Sequence, residues 1–382
     1  MPVGLKKSST ELEKSLEILV IKMSALGDVI QTLPVIPVLK QRFPGSRIHW
    51  LVEEAAEPVV RCHPGVDRVL VSRRSAWPRQ FRRPETWPAA ISQIRALVAE
   101  LRKPYDLAID FQGLLKSGIW MGLAKAQRKV GFRRARERLN RLFLNETVRG
   151  IDGELHAVER YLQLAAWLGC PKAGQPEFGL RAPQESKSRM RDFLASQGWA
   201  PDSPWAVLVP SARWPSKRWS QVGFARLGDR LAGSLGLQVA LVGVGQDRPL
   251  VEGIRGKMLN RSINLAGSTD IPALMAILEM AKVVVSTDSG PMHMAAALGT
   301  PVVALFGPTA PWLTGPYGTN HRVVRREMSC SPCFRKRCPT KSCMESIDPE
   351  EVFQQVRLLI EETGHRASRE KPVEKLALEA FA

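Results

Sequence analysis

The chain has 382 residues, 44% of them hydrophobic and 24% charged, which exceeds one ordinary domain and excludes a disordered or fibrous class. No apolar run approaches the roughly 20 residues of a bilayer-spanning helix, and the N-terminus lacks an h-region or cleavage site, so neither a signal peptide nor an anchor is expected and the protein reads as cytoplasmic. The formal net charge of +18 calls for a polyanionic partner, which composition leaves open among nucleic acid, an anionic membrane face and phosphorylated substrates.

Residues 1–15 read as an N-terminal extension. Next, "EILVIKM" and "RIHWLVE" are strand-like, with a helix expected over Asp28–Phe43 between them. The turn between strand and helix, "KMSALGDVIQTLP", raises a question. Gly27 stands where a phosphate would sit, yet Asp28 beside it would repel one. "DRVLVS" and "YDLAIDF" are further strands, and Arg95–Arg102 ends a helix that precedes the second. Around "PKAGQPEFGLRAP" the Pro and Gly content suits a linker, which sets a first domain over 16–175 and a second over 176–350. In the second half, "WAVLVPS", "QVALVGVG", "AKVVVSTDSG" and "TPVVALFGP" are strands, with helices around Trp219–Leu235, Arg248–Met258, Ile271–Met280 and Met292–Leu298. A C-terminal helix over 351–364 and a flexible tail over 365–382 complete the chain. Short apolar strands alternating with helices in both halves predict an α/β protein: two Rossmann-like, doubly wound domains around a cleft.

The most specific stretch is "VVVSTDSGPMHMAAALGTPVVALFGPTAPWLTGPYG". A strand leads through Asp288, Ser289 and Gly290 into a helix with Pro291 in its first turn. Free backbone N–H groups at such a helix start suit a diphosphate. A second Gly/Pro turn, "LFGPTAPW", ends the next strand, and strand ends face the ligand crevice in open α/β sheets. His293 lies one helical turn past Ser289. In "LVPSARWPSKRW", Ser211, Arg213, Lys217 and Arg218 occupy a strand-end loop whose cations could neutralise a leaving diphosphate. "LVGVGQDRP" fails as a dinucleotide fingerprint, because Arg248 takes the place of a third glycine. No GxxxxGK[ST] is present either, so a P-loop enzyme is excluded.

Positive charge gathers in two first-half segments. One carries Arg73, Arg74, Arg79, Arg82 and Arg83 among Trp77, Phe81 and Trp87; the other, Lys125–Arg141, has eight basic residues and one acid. Arginine with aromatics suits nucleic acid, a membrane interface or bidentate grip of carboxylates and phosphates. No zinc finger, RNA-recognition motif or basic zipper accompanies it. "CSPCFRKRCPTKSC" spaces Cys330, Cys333, Cys338 and Cys343 as C-x2-C-x4-C-x4-C. That spacing leaves open a structural zinc, an iron–sulfur ligand set, free thiols and a redox-sensitive disulfide.

Taken together, "MSALGDVIQTLP", "YDLAIDFQGLLKSG", "GELHAVERYLQLA", "STDSGPMHMAAALGTPVVALFGPT" and "TGPYG" resemble the heptosyltransferase family of glycosyltransferases, family 9, from about Glu17 to about Val356. "IDFQGLLKS" and "HAVER" look closest to the first enzyme of the pathway, with the later-acting type or another sugar donor as the alternative. The resemblance implies the GT-B arrangement of two Rossmann-like domains and metal-independent, inverting transfer of heptose from ADP-heptose. The implied acceptor is the Kdo sugar of lipid A or the lipopolysaccharide inner core. It further implies a peripheral location on the cytoplasmic face of the inner membrane, with an anionic bilayer and no nucleic acid as partner. By that analogy Asp28 is the general base and Lys217 reaches the diphosphate. Ser211, Arg213, Asp288, Ser289, Gly290, Met292 and His293 line the donor site, and Gln246 or Asp247 takes the ribose. Ser24, Gly27, Arg73, Arg74, Lys116, Arg133, Arg134, His156 and Arg160 are the acceptor-side candidates. No catalytic metal is implied. Asp28 then answers the question above: it faces a sugar hydroxyl, and the phosphates belong to the second half.

Overall fold

The computed structural model describes residues 15–172, 174–200 and 203–369, with side chains to residue 364. Apart from Ser15, the expected N-terminal extension lies outside the described residues, as does the expected tail beyond residue 369. By contacts the chain divides into two units. One comprises Met1–Ser24, Thr32–Gly153 and Glu159–Gly179; the other Ala25–Gln31, Glu154–Val158 and Leu180–Ala382. Two short segments expected within 16–175 thus pack with the second unit, and one of them carries Asp28.

The first unit is built on six parallel strands: β1 (Glu17–Ile21), β2 (Arg47–Glu53), β3 (Arg68–Ser72), β4 (Tyr105–Asp110), β5 (Ala126–Phe132) and β6 (Glu146–Val148), in the order β3-β2-β1-β4-β5-β6. The second unit repeats this wiring with β7 (Trp205–Val209), β8 (Gln238–Leu241), β9 (Ser262–Asn264), β10 (Val283–Thr287), β11 (Val302–Phe306) and β12 (His321–Arg325), ordered β12-β11-β10-β7-β8-β9. In both, chain order runs outward from the centre in one direction and then in the other, which is the doubly wound pattern. The central strands β7, β10 and β11 are buried along their whole length, as a parallel sheet covered on both faces requires.

Four strands are not evident from the residues. β6 and β9 are three residues long, β12 is an edge carrying Arg322 and Arg325, and β5 carries Arg128 and Lys129 in its middle. Edge and near-edge positions tolerate charge because one flank is open to water. The helix expected over Asp28–Phe43 is two, Leu26–Ile30 and Val35–Arg42. Pro34 lies at the break; it has no N–H to return to Ile30 and disfavours a helical residue before it. The C-terminal helix is longer than expected, Pro349–Arg369.

Asp110, at the end of β4, is fully buried. Its carboxylate accepts from the Gln112 and Gly113 N–H groups at 2.7 and 3.1 Å, Ser117 Oγ at 2.8 Å and Asn140 Nδ2 at 2.6 Å. Burial raises its pKa, and the four donors oppose that shift. Gln112 in turn accepts from the N–H groups of Met23 and Ser24, fixing the end of β1 just before Asp28's segment.

Candidate active site

The turn from β10 into the helix Gly290–Ala297 is the centre of the site. Ser289 is extended (φ −151°, ψ 168°) and Pro291 lies in the first turn. The first N–H groups of the helix therefore have no carbonyl within it to bond. Asp288 precedes the turn with only 7% of its surface exposed. Its Oδ2 accepts from Lys217 Nζ at 2.6 Å and from Thr309 Oγ1 at 2.6 Å. Three strand-end loops, after β7, β10 and β11, thus meet at one carboxylate. Lys217 Nζ also lies over the Trp214 ring, 4.5 Å from its centre, a cation–π contact. Ser286 Oγ is 3.2 Å from Ser289 Oγ, and Thr287 Oγ1 donates to the Ser211 carbonyl at 3.1 Å.

The segment Ala25–Gln31 packs on this helix start. A Cβ at Gly27 would lie 2.5 Å from His293 Cδ2, and one at Gly290 would lie 3.0 Å from Leu26 Cδ2. Only glycine allows so close an approach at Gly27. Asp28 is the third residue of its helix, and its Oδ2 accepts from the Ala25 N–H at 3.1 Å. His293 is buried, and burial pushes its pKa down to about 4. The charges of Asp288 and Asp28 act the other way, while His156 and Lys217 add to the depression. Asp28, Asp288, Lys217, His156 and a neutral His293 are therefore electrostatic neighbours within the second unit. His156 Nε2 is 3.1 Å from the Gly315 carbonyl, and its ring centre is 5.0 Å from that of Tyr317.

Other expected site residues fall elsewhere. Met292 is fully buried, so its side chain belongs to the core. Gln246 and Asp247 form a 3₁₀ turn after β8, where Asp247 Oδ2 caps the Val244 N–H at 3.0 Å. Arg213 is exposed, and Arg218 donates to the Ala212 carbonyl at 3.1 Å. In the first unit Lys116 joins Ser24 Oγ to Glu53, at 2.7 Å from the carboxylate, and Arg73 and Arg74 pair loosely with Glu54 and Glu53 at 3.5 Å. Arg133, Arg134 and Arg160 line one cavity of about 510 Å³ with Arg149 and Asp152. Arg160 Nε is buried there and has no hydrogen-bond partner among the described residues, its guanidinium 5.8 Å from the Phe132 ring centre. Arg149, Thr309, Trp214 and Asp110 are additions to the expected set. Thr309, Trp214 and Asp110 lie in a Gly/Pro turn, a basic loop and a strand that the residues themselves mark, whereas Arg149 carries no local signal.

The six cysteines are free thiols. Burial raises the pKa of Cys343, and the charges of Cys333, Cys330 and Cys338 raise it further. Among the described residues no group of three or more is disposed as metal ligands. The segment has a bracing role: Cys333 and Phe334 donate their N–H groups to Pro308 at 3.1 and 2.7 Å, and Ser216 Oγ donates to the Arg335 carbonyl at 2.6 Å. It thereby supports the loops that bear Thr309 and Lys217.

His63 is buried like His293 and His321 is half-buried on the edge strand β12, and desolvation brings each to about 4 as well. Unfolded, all three titrate near 6.5, so between 6.5 and 4 the unfolded chain binds more protons than the folded one. Stability is complete above pH 6.5 and is lost as the pH falls toward 4, by up to about 3 kcal/mol per histidine. Urea unfolding across that range is expected to show the midpoint falling, and replacing His321 with phenylalanine should flatten the slope. A midpoint independent of pH from 7 to 4.5 would contradict these assignments.

A family model, glycosyltransferase family 9 (heptosyltransferase), matches residues 94–344. The chain is 30% identical over 374 residues to lipopolysaccharide heptosyltransferase 1 of Pseudomonas aeruginosa, covering 90% of this chain and 98% of that one. It is also 30% identical over 345 residues to lipopolysaccharide heptosyltransferase 1 of Salmonella typhimurium, covering 88% and 99%. The structure of Escherichia coli heptosyltransferase WaaC with ADP superposes with a TM-score of 0.71 at 27% identity, covering 90% of this chain and 100% of that one. With this fold, a family model matching more than half of its length and a relative 30% identical over 90% of it, the chain belongs to glycosyltransferase family 9, the heptosyltransferases, and is a glycosyltransferase of GT-B type.

Proposed function

We propose that the protein transfers heptose from ADP-heptose, with inversion, to the Kdo residue of lipid A, using Asp28 as general base. The observation that carries this reading is the assembly of Asp28, His293 and the Lys217–Asp288 pair around one open helix start. The backbone N–H groups of Gly290 and Met292, with Lys217, suit the diphosphate of the donor. As the acceptor hydroxyl attacks the anomeric carbon, its proton passes to Asp28. The bond from that carbon to the diphosphate breaks, and ADP leaves with the electron pair. Attack opposite the leaving group inverts the centre. The leaving diphosphate is stabilised by cations and N–H dipoles and needs no acid.

The arginine cavity supports an anionic acceptor, since guanidinium groups bind carboxylates and phosphates bidentately. The names of the two heptosyltransferase 1 relatives favour the first transfer of core assembly. The location inferred is the cytoplasmic face of the inner membrane, where such an acceptor is presented; among the described residues no helix is long and apolar enough to cross a membrane. Purified protein given ADP-heptose and Kdo-lipid A should release ADP and add one heptose to the glycolipid by mass. No ADP release with this pair, but release with an acceptor that already bears heptose, would move the protein to a later step.

A further inference from the structure

In the first unit, the helix Leu115–Leu123 and the 3₁₀ segment Arg138–Phe143 pack together. A Cβ at Gly118 or at Gly122 would lie 2.6 or 2.7 Å from the Phe143 ring, so two glycines one helical turn apart form the slot that seats it. Asn140, one 3₁₀ turn before Phe143, is held inward by Asp110 and by the Leu114 carbonyl at 2.9 Å. Residues three apart eclipse in a 3₁₀ helix. With Asn140 and Phe143 directed inward, Leu139 and Leu142 share a second face, and Arg138 and Arg141 a third. Leu142 is 77% exposed and Leu139 57%. On the adjoining helix Leu115, Ile119 and Leu123, spaced by four, are also exposed. Five large apolar side chains on a rigid, doubly anchored surface are more than a monomer scatters at random.

The surrounding charge says what covers them. Lys125–Arg141 has eight basic residues and one acid, and the acid, Glu137, accepts from the Leu115 N–H at 2.5 Å. Among the described residues Arg133, Arg134, Arg136, Arg138 and Arg141 form no ion pair. A second copy of a +18 chain would set cation against cation here. An anionic bilayer interface satisfies both features, taking arginines at its headgroups and leucines just beneath.

We infer that Leu139, Leu142 and the Leu115–Ile119–Leu123 stripe form a membrane-docking wedge that inserts into anionic lipid, with Arg138 and Arg141 at the headgroups. This rests on the proposed glycolipid acceptor and names the surface that brings the enzyme to it.

The full chain should co-sediment with phosphatidylcholine vesicles containing 30% phosphatidylglycerol at 150 mM NaCl, and at least tenfold less with phosphatidylcholine alone. The triple variant I119S/L139S/L142S should lose at least tenfold in affinity for the anionic vesicles, and R138A/R141A should weaken it and reduce its salt dependence. Because these side chains are exposed, circular dichroism and the melting temperature should stay those of the parent. Turnover with a short-chain, water-soluble Kdo acceptor should be retained by both variants. Three results would overturn the inference: no binding by the parent, equal binding by the serine variant, or a concentration-dependent dimer that L142S dissociates. Failure of the parent to turn over the soluble acceptor would instead overturn the acceptor assignment and leave the wedge standing.

Discussion

Replacing Asp28 with asparagine is expected to lower turnover by roughly 10²–10⁴-fold while ADP-heptose still binds within about threefold. The amide keeps the size of the side chain and an oxygen that accepts from the Ala25 N–H, so the start of the Leu26–Ile30 helix is preserved. What it loses is the capacity to hold the acceptor's proton. The proposed donor seat, the Gly290–Ala297 helix start with Lys217, is untouched by the change. Steady-state ADP release, with calorimetric titration of the donor, separates the two quantities. A variant that turns over like its parent removes Asp28 from the base role. One that no longer binds donor makes Asp28 part of the nucleotide seat instead. A glutamate at the same position keeps the charge but moves it by one methylene against the packed Gly27–His293 contact, and should recover only part of the rate.

The aspartate illustrates how far residues alone lead. Its helix start, its glycine neighbour and the strand before it are all legible, because β1 carries the apolar run Ile18–Ile21, which ends at Lys22, and Gly27 follows in the turn region. Its contact grouping is not. Ala25–Gln31 packs on the Gly290–Ala297 helix through Gly27 and Leu26, a contact between residues some 260 positions apart that no local pattern encodes. His156 is the same case, read beside Arg160 from the "HAVER" motif but set against Gly315 and Tyr317. The repeated wiring of the two sheets was readable wherever a strand is buried on both faces. It was hidden at β5, β6, β9 and β12, whose charge or brevity is what an open flank allows. Asp110 was passed over for a related reason. A carboxylate ending a strand looks like a surface residue until the four donors that surround it are seen together.

The Lys217–Asp288 pair should separate stability from catalysis. Changing Lys217 to methionine leaves a buried carboxylate with Thr309 as its one remaining partner named here, and the loss of stability should reach about 3–5 kcal/mol. Donor affinity should fall too, because the cation beside the helix start is gone. Combining K217M with D288N removes both charges, so the uncompensated carboxylate disappears and most of the stability should return. Activity should not return with it. If the lysine stabilises the departing diphosphate, the double variant folds like the parent yet remains slow in ADP release, with a raised KM for ADP-heptose. Urea unfolding and steady-state kinetics on the two variants together decide the matter. Should the double variant regain the parent's rate, the pair is a structural tie between the loops after β7 and β10, and the diphosphate must be held by the backbone N–H groups alone.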